Sequence, residues 1–376
     1  MNPTPLSKES KTTVLMGDST MDNSEWVKKG ESVCDRLRAS FSRDHRIIDL
    51  SNDGFTLDNV LHGAKANKVF PFNPSKRHPR ETFYPITELM KIETVDHLVL
   101  SVGGNDVREQ LPKLLSAPGD KSEAFLDEIT QKIHRNYIQI LEILAGRNIK
   151  PIIMLQYLPD STHDQYHIYE LMQKLTSDQN LESAIQYLQH LMQRVYQPIL
   201  QYAQEHGLPI IDLASSLNYR DSSLYVSQIE PSAKGGEQIA RLIKHVIDIH
   251  PCEGPSLLYA TPDISGEIIA VTTDAKSWRP HFQRPESGKD AIAMFTRVYE
   301  KQIEAERARF LGFGKFLSRQ KSLENLPAAL NDIVKHATSG GERSREVMQL
   351  LGWMSQDNEL TRRYIDEVAV LEGPKI

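Results

Sequence analysis

Short apolar runs rich in β-branched residues recur along the first 214 residues: TTVLMG (12–17), HRIIDLS (45–51), HLVLSVGG (97–104), KPIIMLQYLP (150–159) and LPIIDLA (208–214). Each is followed by Gly, Asn, Asp, Ser or Pro, and runs this short and continuously apolar predict buried strands. Between them apolar positions return at helical spacing: Trp26, Val33, Leu37 and Phe41; Phe125, Ile129, Ile133, Tyr137, Ile140 and Leu144; Ile185, Leu188, Leu191, Met192, Val195, Ile199 and Tyr202; Ile239, Leu242, Ile243 and Val246. Five strands alternating with helices predict right-handed βαβ units and a parallel sheet covered on both faces.

Two insertions break the rhythm. Residues 63–90 carry FPFNPSKRHPRETFYP, a proline-punctuated loop with Lys76, Arg77, His78 and Arg80. Residues 160–180, with His163, Tyr166 and His167, precede a long helical stretch and are placed to form a lid. The ordinary reading of each is a solvated surface loop. After HPCEGP (250–255) the pattern changes, which divides the chain into an α/β unit at 1–250 and a mainly helical unit at 251–376. GEIIAVTT (266–273) reads as one strand; the rest is amphipathic stripes such as Ile292, Phe295, Val298 and Tyr299, or Leu323, Leu326, Leu330 and Ile333. The plain account of these stripes is a small helical core, and the alternative is a groove for a protein partner.

Composition narrows the classes. The net charge is −6, so no global positive field draws the chain to nucleic acid or to an anionic membrane. Two cysteines, Cys34 and Cys252, give no disulfide framework and fit a reducing compartment. No stretch of 18 apolar residues predicts a membrane span, and MNPTPLSKESKTTV lacks the apolar core of a secretory signal. The expectation is a cytoplasmic protein, or one exported without a cleavable signal as some pathogen effectors are.

Candidate chemistry lies where the strands end, because loops at the carboxyl ends of a parallel sheet converge on one edge. The first strand ends in Gly17, Asp18, Ser19; the second in Asn52, Asp53, Gly54; the third in Gly103, Gly104, Asn105, Asp106. Ser19 supplies a hydroxyl nucleophile. The N–H groups of Ser19 and Gly54 and the Asn105 amide supply donors for the oxyanion of an acyl-transfer intermediate, each worth roughly 2.7–4 kcal/mol in comparable sites. Alone, GDS is ordinarily a helix N-cap and GGND a turn; three such pieces after successive strands are what points to a site.

These blocks resemble the SGNH, or GDSL-type, hydrolases, with GDST at 17–20, NDGFT at 52–56 and SVGGND at 101–106, over about residues 11–248. The resemblance implies a flavodoxin-like three-layer αβα sandwich on a five-stranded parallel sheet. It also implies hydrolysis of carboxylic esters, thioesters or acylated sugars, a small-molecule acyl substrate, and neither metal nor organic cofactor. Asp18, Gly103 and Asp106 would support the site. Family members carry Asp, two residues, His, Pro before the last helix, whereas YVSQIEPSAKGGEQIA (225–240) places Ser227 and Glu230 at the Asp and His positions.

Three readings of that departure stand. Glu230 is the base itself, with Ser227 orienting it; burial can lift a glutamate from about 4.3 to about 6–7. Alternatively a histidine from another loop, His62, His78, His163, His167 or His206, reaches in. Or the site binds without turnover and the helical C-terminal unit carries the function.

Overall fold

The computed structural model describes residues 11–65, 82–116, 119–163, 165–251, 253–262 and 267–280. Lys76, Arg77, His78, Arg80 and the apolar stripes beyond residue 280 lie outside the described residues. The chain opens with strand β1 (Thr12–Gly17), helix α1 (Val33–Ser40), β2 (Arg46–Asp49) and α2 (Leu57–His62). A small hairpin, β3 (Ala64–Lys65) with β4 (Thr82–Phe83), and α3 (Pro85–Met90) occupy the first insertion. Then come β5 (His97–Ser101), α4 (Gly104–Arg108), α5 (Leu111–Ser116), α6 (Gly119–Ala145), β6 (Pro151–Leu155), α7 (Ile168–Thr176), α8 (Leu181–His206), β7 (Ile210–Asp212) and α9 (Ala233–Ile249). Strands β8 (Leu257–Ala260) and β9 (Ile269–Thr272) end the described elements.

The main sheet has the order β2-β1-β5-β6-β7-β8-β9. All neighbours run parallel except β9, which runs antiparallel to β8. Because side chains alternate across a strand, Val14, Met16, Leu98, Leu100, Ile153 and Leu155 enter the core under α6 and α8. Their neighbours Leu15, Val99, Ile152 and Met154 enter the core under α1 and α9. Both faces are therefore buried, which is why the strands read as continuous apolar runs.

The architecture is the α/β sandwich the sequence predicts, with a wider sheet. β8 and β9 fall beyond residue 250, yet they belong to the same compact unit as β1 to β7. LLYA is too short to stand out, but its faces are divided like those of the inner strands: Tyr259 packs in one core and Leu258 in the other. Trp278 pins this extension, its indole N–H donating to Asp212 Oδ2 at 2.8 Å and its ring meeting Tyr196 edge-on at 6.2 Å. Helix α1 is also shorter than its apolar spacing suggests. Ser32 caps it by accepting the Asp35 N–H at 3.1 Å, and Trp26 sits in the preceding turn.

Candidate active site

The turn that carries Ser19 starts from a close approach of two strands. A Cβ on Gly17 would lie 1.8 Å from the Ser101 carbonyl oxygen, so only glycine lets β1 end against β5. The Asp18 N–H then donates to that same oxygen at 3.0 Å, and the N–H groups of Met21 and Asp22 close a helical turn on the Asp18 carbonyl at 3.1 Å. Ser19 stands at the head of this turn and is 7% exposed. The Asp18 carboxylate accepts from the Thr20 N–H at 3.1 Å and from Gln156 Nε2 at 3.0 Å. Thr20 Oγ1 in turn donates to Gln156 Oε1 at 3.0 Å, and Gln156 Nε2 also reaches Ser101 Oγ at 3.2 Å. Asp18 thus fixes the turn from beneath, and burial lifts its pKa to about 7.

Two further loops are laced to this turn. The Asn52 N–H donates to the Gly17 carbonyl at 3.0 Å, and the Asp53 N–H to Asp22 Oδ2 at 3.1 Å. Gly54 has φ of +77°, a conformation that favours glycine, and an added Cβ would meet nothing within 4 Å. Backbone shape rather than crowding selects glycine there, and the Gly54 N–H turns towards the Asp53 carboxylate. Asn105 donates one amide hydrogen to the Phe55 carbonyl at 3.0 Å, which leaves it a second. Asp106 Oδ2 accepts the Leu57 N–H at 2.9 Å in the first turn of α2, and burial lifts its pKa to about 6. Gly103, at φ of +118°, opens α4.

The loop before α9 delivers Glu230. Tyr225 and Pro231 form an isolated antiparallel bridge, and the Val226 N–H donates to the Glu230 carbonyl at 2.9 Å. Tyr157 Oη donates to the Ile229 carbonyl at 2.5 Å, and Asn23 Nδ2 to the Pro231 carbonyl at 3.2 Å. Held this way, the Glu230 carboxyl is 2% exposed and faces the Ser19 hydroxyl. Its pKa is pushed up to about 8, first by burial and then by the negative charges of Asp53 and Asp18; the Ser19 hydroxyl and the Arg108 charge oppose the rise. Glu230 Oε2 has no hydrogen-bond partner. Neither does Ser227 Oγ, which faces the Tyr166 hydroxyl without forming a bond of ordinary length.

Sequence reasoning missed Gln156 and Arg108 at this centre, and placed Tyr166 only within the second insertion. Gln156 sits inside an apolar run and carries no motif. Arg108, just past the GGND block, has its guanidinium 5.5 Å from the centre of the Tyr166 ring, and its charge acts on both Glu230 and Asp53. Tyr166 is held over the site by its N–H, which donates to Gln228 Oε1 at 2.9 Å.

The candidate histidines divide. His163 Nδ1 is 2.5 Å from Oδ2 of the buried Asp160, but its ring is largely exposed. His167 pairs with the exposed Glu170 at 3.0 Å. His62 ends α2, and His206 ends α8 immediately before β7. That puts His206 where β7 begins, at the edge opposite the candidate site, because α8 returns the chain to the start of the next parallel strand. His78 lies outside the described residues.

Beside Ser19 opens a cavity of about 100 Å³ whose walls include Gly103, Asn105, Arg108 and Gln156 and an apolar surface from α4, α5, α7 and α8. Among the described residues no group of three His, Cys, Asp or Glu side chains is arranged to hold a metal ion, and no helix is long and apolar enough to cross a membrane.

Several solved structures are similar to the chain. A lipolytic protein of the G-D-S-L family from Veillonella parvula has 15% identity and a TM-score of 0.38, over 64% of this chain and 98% of that one. An acetyl xylan esterase has 12% identity and a TM-score of 0.38, over 62% and 98%. A carbohydrate acetylesterase family member from Sinorhizobium meliloti has 11% identity and a TM-score of 0.38, over 64% and 100%. None of the curated proteins compared with the chain matches it. The profile of the GDSL-like lipase/acylhydrolase family matches residues 13–243, more than half of the length, and the chain belongs to that family.

Proposed function

We propose that this family member is a serine-dependent ester hydrolase or acyl transferase whose base is a glutamate. Ser19 Oγ attacks the acyl carbon while Glu230 accepts its proton. The Ser19 N–H, the free amide hydrogen of Asn105 and the backbone at Gly54 hold the oxyanion, Gly54 by exchanging its Asp53 contact for the substrate. Glu230 then returns the proton to the departing alcohol as the C–O bond breaks. Water, or a second alcohol in a transfer reaction, then attacks the acyl-enzyme with Glu230 accepting its proton, and Glu230 returns that proton to Ser19 Oγ as the acyl–Ser19 bond breaks. Ser227 and Tyr166 flank the carboxyl.

The observation that carries this reading is the buried Glu230 carboxyl facing the buried Ser19 hydroxyl. With a pKa of about 8 the carboxylate is as strong a base as imidazole or stronger, so the exchange of His for Glu does not remove basicity. Hydrolysis of short acyl esters, abolished by Ser19→Ala, is the test; a wild-type protein without turnover at pH 8.5, where the carboxyl is ionised, refutes it.

The same pKa favours a second reading at lower pH. Well below pH 8 Glu230 keeps its proton and cannot accept another, so the site would bind acyl groups without turnover, and any wider role would rest on the region after residue 280. Modification of Ser19 by a fluorophosphonate at pH 8.5 but not at pH 6 separates the two regimes.

A further inference from the structure

We propose that the cavity beside Ser19 receives an aliphatic acyl chain of medium length, so that the substrate is a medium-chain acyl ester rather than an acetylated sugar. The inference rests on the hydrolase reading above and adds its substrate class. The cavity wall is made by Leu111, Ile168, Leu188, Leu191, Met192 and Val195. Ile168 comes from α7, in the second insertion, and the last four recur at helical spacing along α8, so one helix face supplies most of the surface.

The polar groups in the cavity are committed to one another. Gln156 joins Asp18 and Thr20, Tyr196 Oη accepts the Gln156 N–H at 3.3 Å, and Tyr157 Oη is bonded to Ile229. Away from Ser19, Asn105, Arg108 and the Tyr196 hydroxyl proton, the side chains of the cavity wall are apolar or already hydrogen-bonded. A glycosyl group placed there would leave hydroxyls unpaired, whereas a hydrocarbon loses nothing.

Geometry also decides which half of the ester enters. The leaving oxygen must face the group that returns its proton, Glu230, and Glu230 is not part of the cavity wall. The alcohol half thus lies on the side of Glu230 and Tyr166, and the acyl half points away from them into the cavity. Leu188 to Val195 span about 10 Å of helix, a length that an extended octanoyl chain matches. Met192, with its flexible thioether, can adapt to shorter chains.

The experiment measures kcat/KM of the full chain at pH 8.5 for ethyl acetate, ethyl butanoate, ethyl octanoate and octyl acetate. Each methylene buried multiplies transition-state binding by about four, so octanoate should exceed acetate by at least about a hundredfold. Leu188→Trp, which fills the cavity, should lower the octanoate-to-acetate ratio by about tenfold or more, whichever way the absolute rates move. Ethyl acetate as the best substrate, with turnover still abolished by Ser19→Ala, overturns the acyl-chain inference and leaves the hydrolase reading intact. A preference for octyl acetate over ethyl octanoate overturns it as well, by placing the chain on the alcohol side. No turnover of any ester overturns both.

Discussion

The turn that carries Ser19 and the loop that carries Glu230 face each other across the site and are built in opposite ways. Around Ser19 the polar side chains are paired: Asp18, Thr20, Gln156 and Ser101 share one network, and Asn105 and Asp106 tie the β5 loop to the β2 loop. Across the gap, three buried polar atoms within four residues have no partner: Ser227 Oγ, Gln228 Nε2 and Glu230 Oε2. One half is preorganised and closed. The other holds unsatisfied groups, which cost stability in the empty protein and are available to a substrate.

The largest effect expected from disturbing this contrast is on turnover. Ser19→Ala should lower kcat by about four orders of magnitude or more, because removing a nucleophile leaves only binding and oxyanion stabilisation; steady-state ester hydrolysis measures it. Glu230→Gln should lower kcat by about 10²–10⁴-fold. In the wild type the rate should rise with pH and level off near 8, the pKa of the carboxyl. Glu230→His should move that rising limb down towards about 6.5. A wild-type profile flat from pH 6 to 9 would remove Glu230 from the mechanism. Asn105→Ala should cost about 10²–10³ in kcat, with part of the loss shared by the Phe55 contact.

Stability against pH sharpens the comparison further. The folded pKa of Glu230, about 8, stands above its ordinary value of 4.5, and those of Asp18 and Asp106, about 7 and 6, stand above 3.8. Between each pair of values the folded protein holds more protons than the unfolded chain, so stability falls as pH rises through roughly 4 to 8. The stability these three carboxyls contribute should be greatest at and below about pH 4. Glu230→Gln should recover roughly 2–5 kcal/mol at pH 9 while changing little at pH 4, where the carboxyl is neutral in both states; thermal unfolding followed by circular dichroism at both pH values is the check.

The smallest effects separate the two halves most directly. Gln156→Ala removes donors from a buried carboxylate and should cost about 2–3 kcal/mol. Ser227→Ala removes a hydroxyl that has no partner and should stay within about 0.5 kcal/mol of wild type, or stabilise. Equal losses in denaturant unfolding would show the halves to be alike.

Much of this was legible from residue patterns, for identifiable reasons. Strands buried on both faces leave uninterrupted runs such as TTVLMG and PIIML, and motif blocks after β1, β2 and β5 mark where loops converge. β8 was not legible as part of the sheet, because four apolar residues just after the HPCEGP break are too short a run to stand apart from a boundary. Gln156 and Arg108 were hidden for another reason. Their importance comes from loops that meet only when the sheet forms, and nothing in local spacing marks a glutamine that joins two strand ends 138 positions apart. The Ser227 position illustrates the converse: the motif locates it, but its hydroxyl makes no bond to Glu230.

The tie between Trp278 and Asp212 bears on how this molecule can be taken apart. A fragment cut at the sequence boundary near residue 250 would strip β7 of its neighbour and leave a bare strand edge, an invitation to self-association. It would also take the indole from a carboxylate sealed in the interior beside Tyr196, whose ring forms part of the pocket. A fragment meant to report on catalysis has to keep the chain through Arg279.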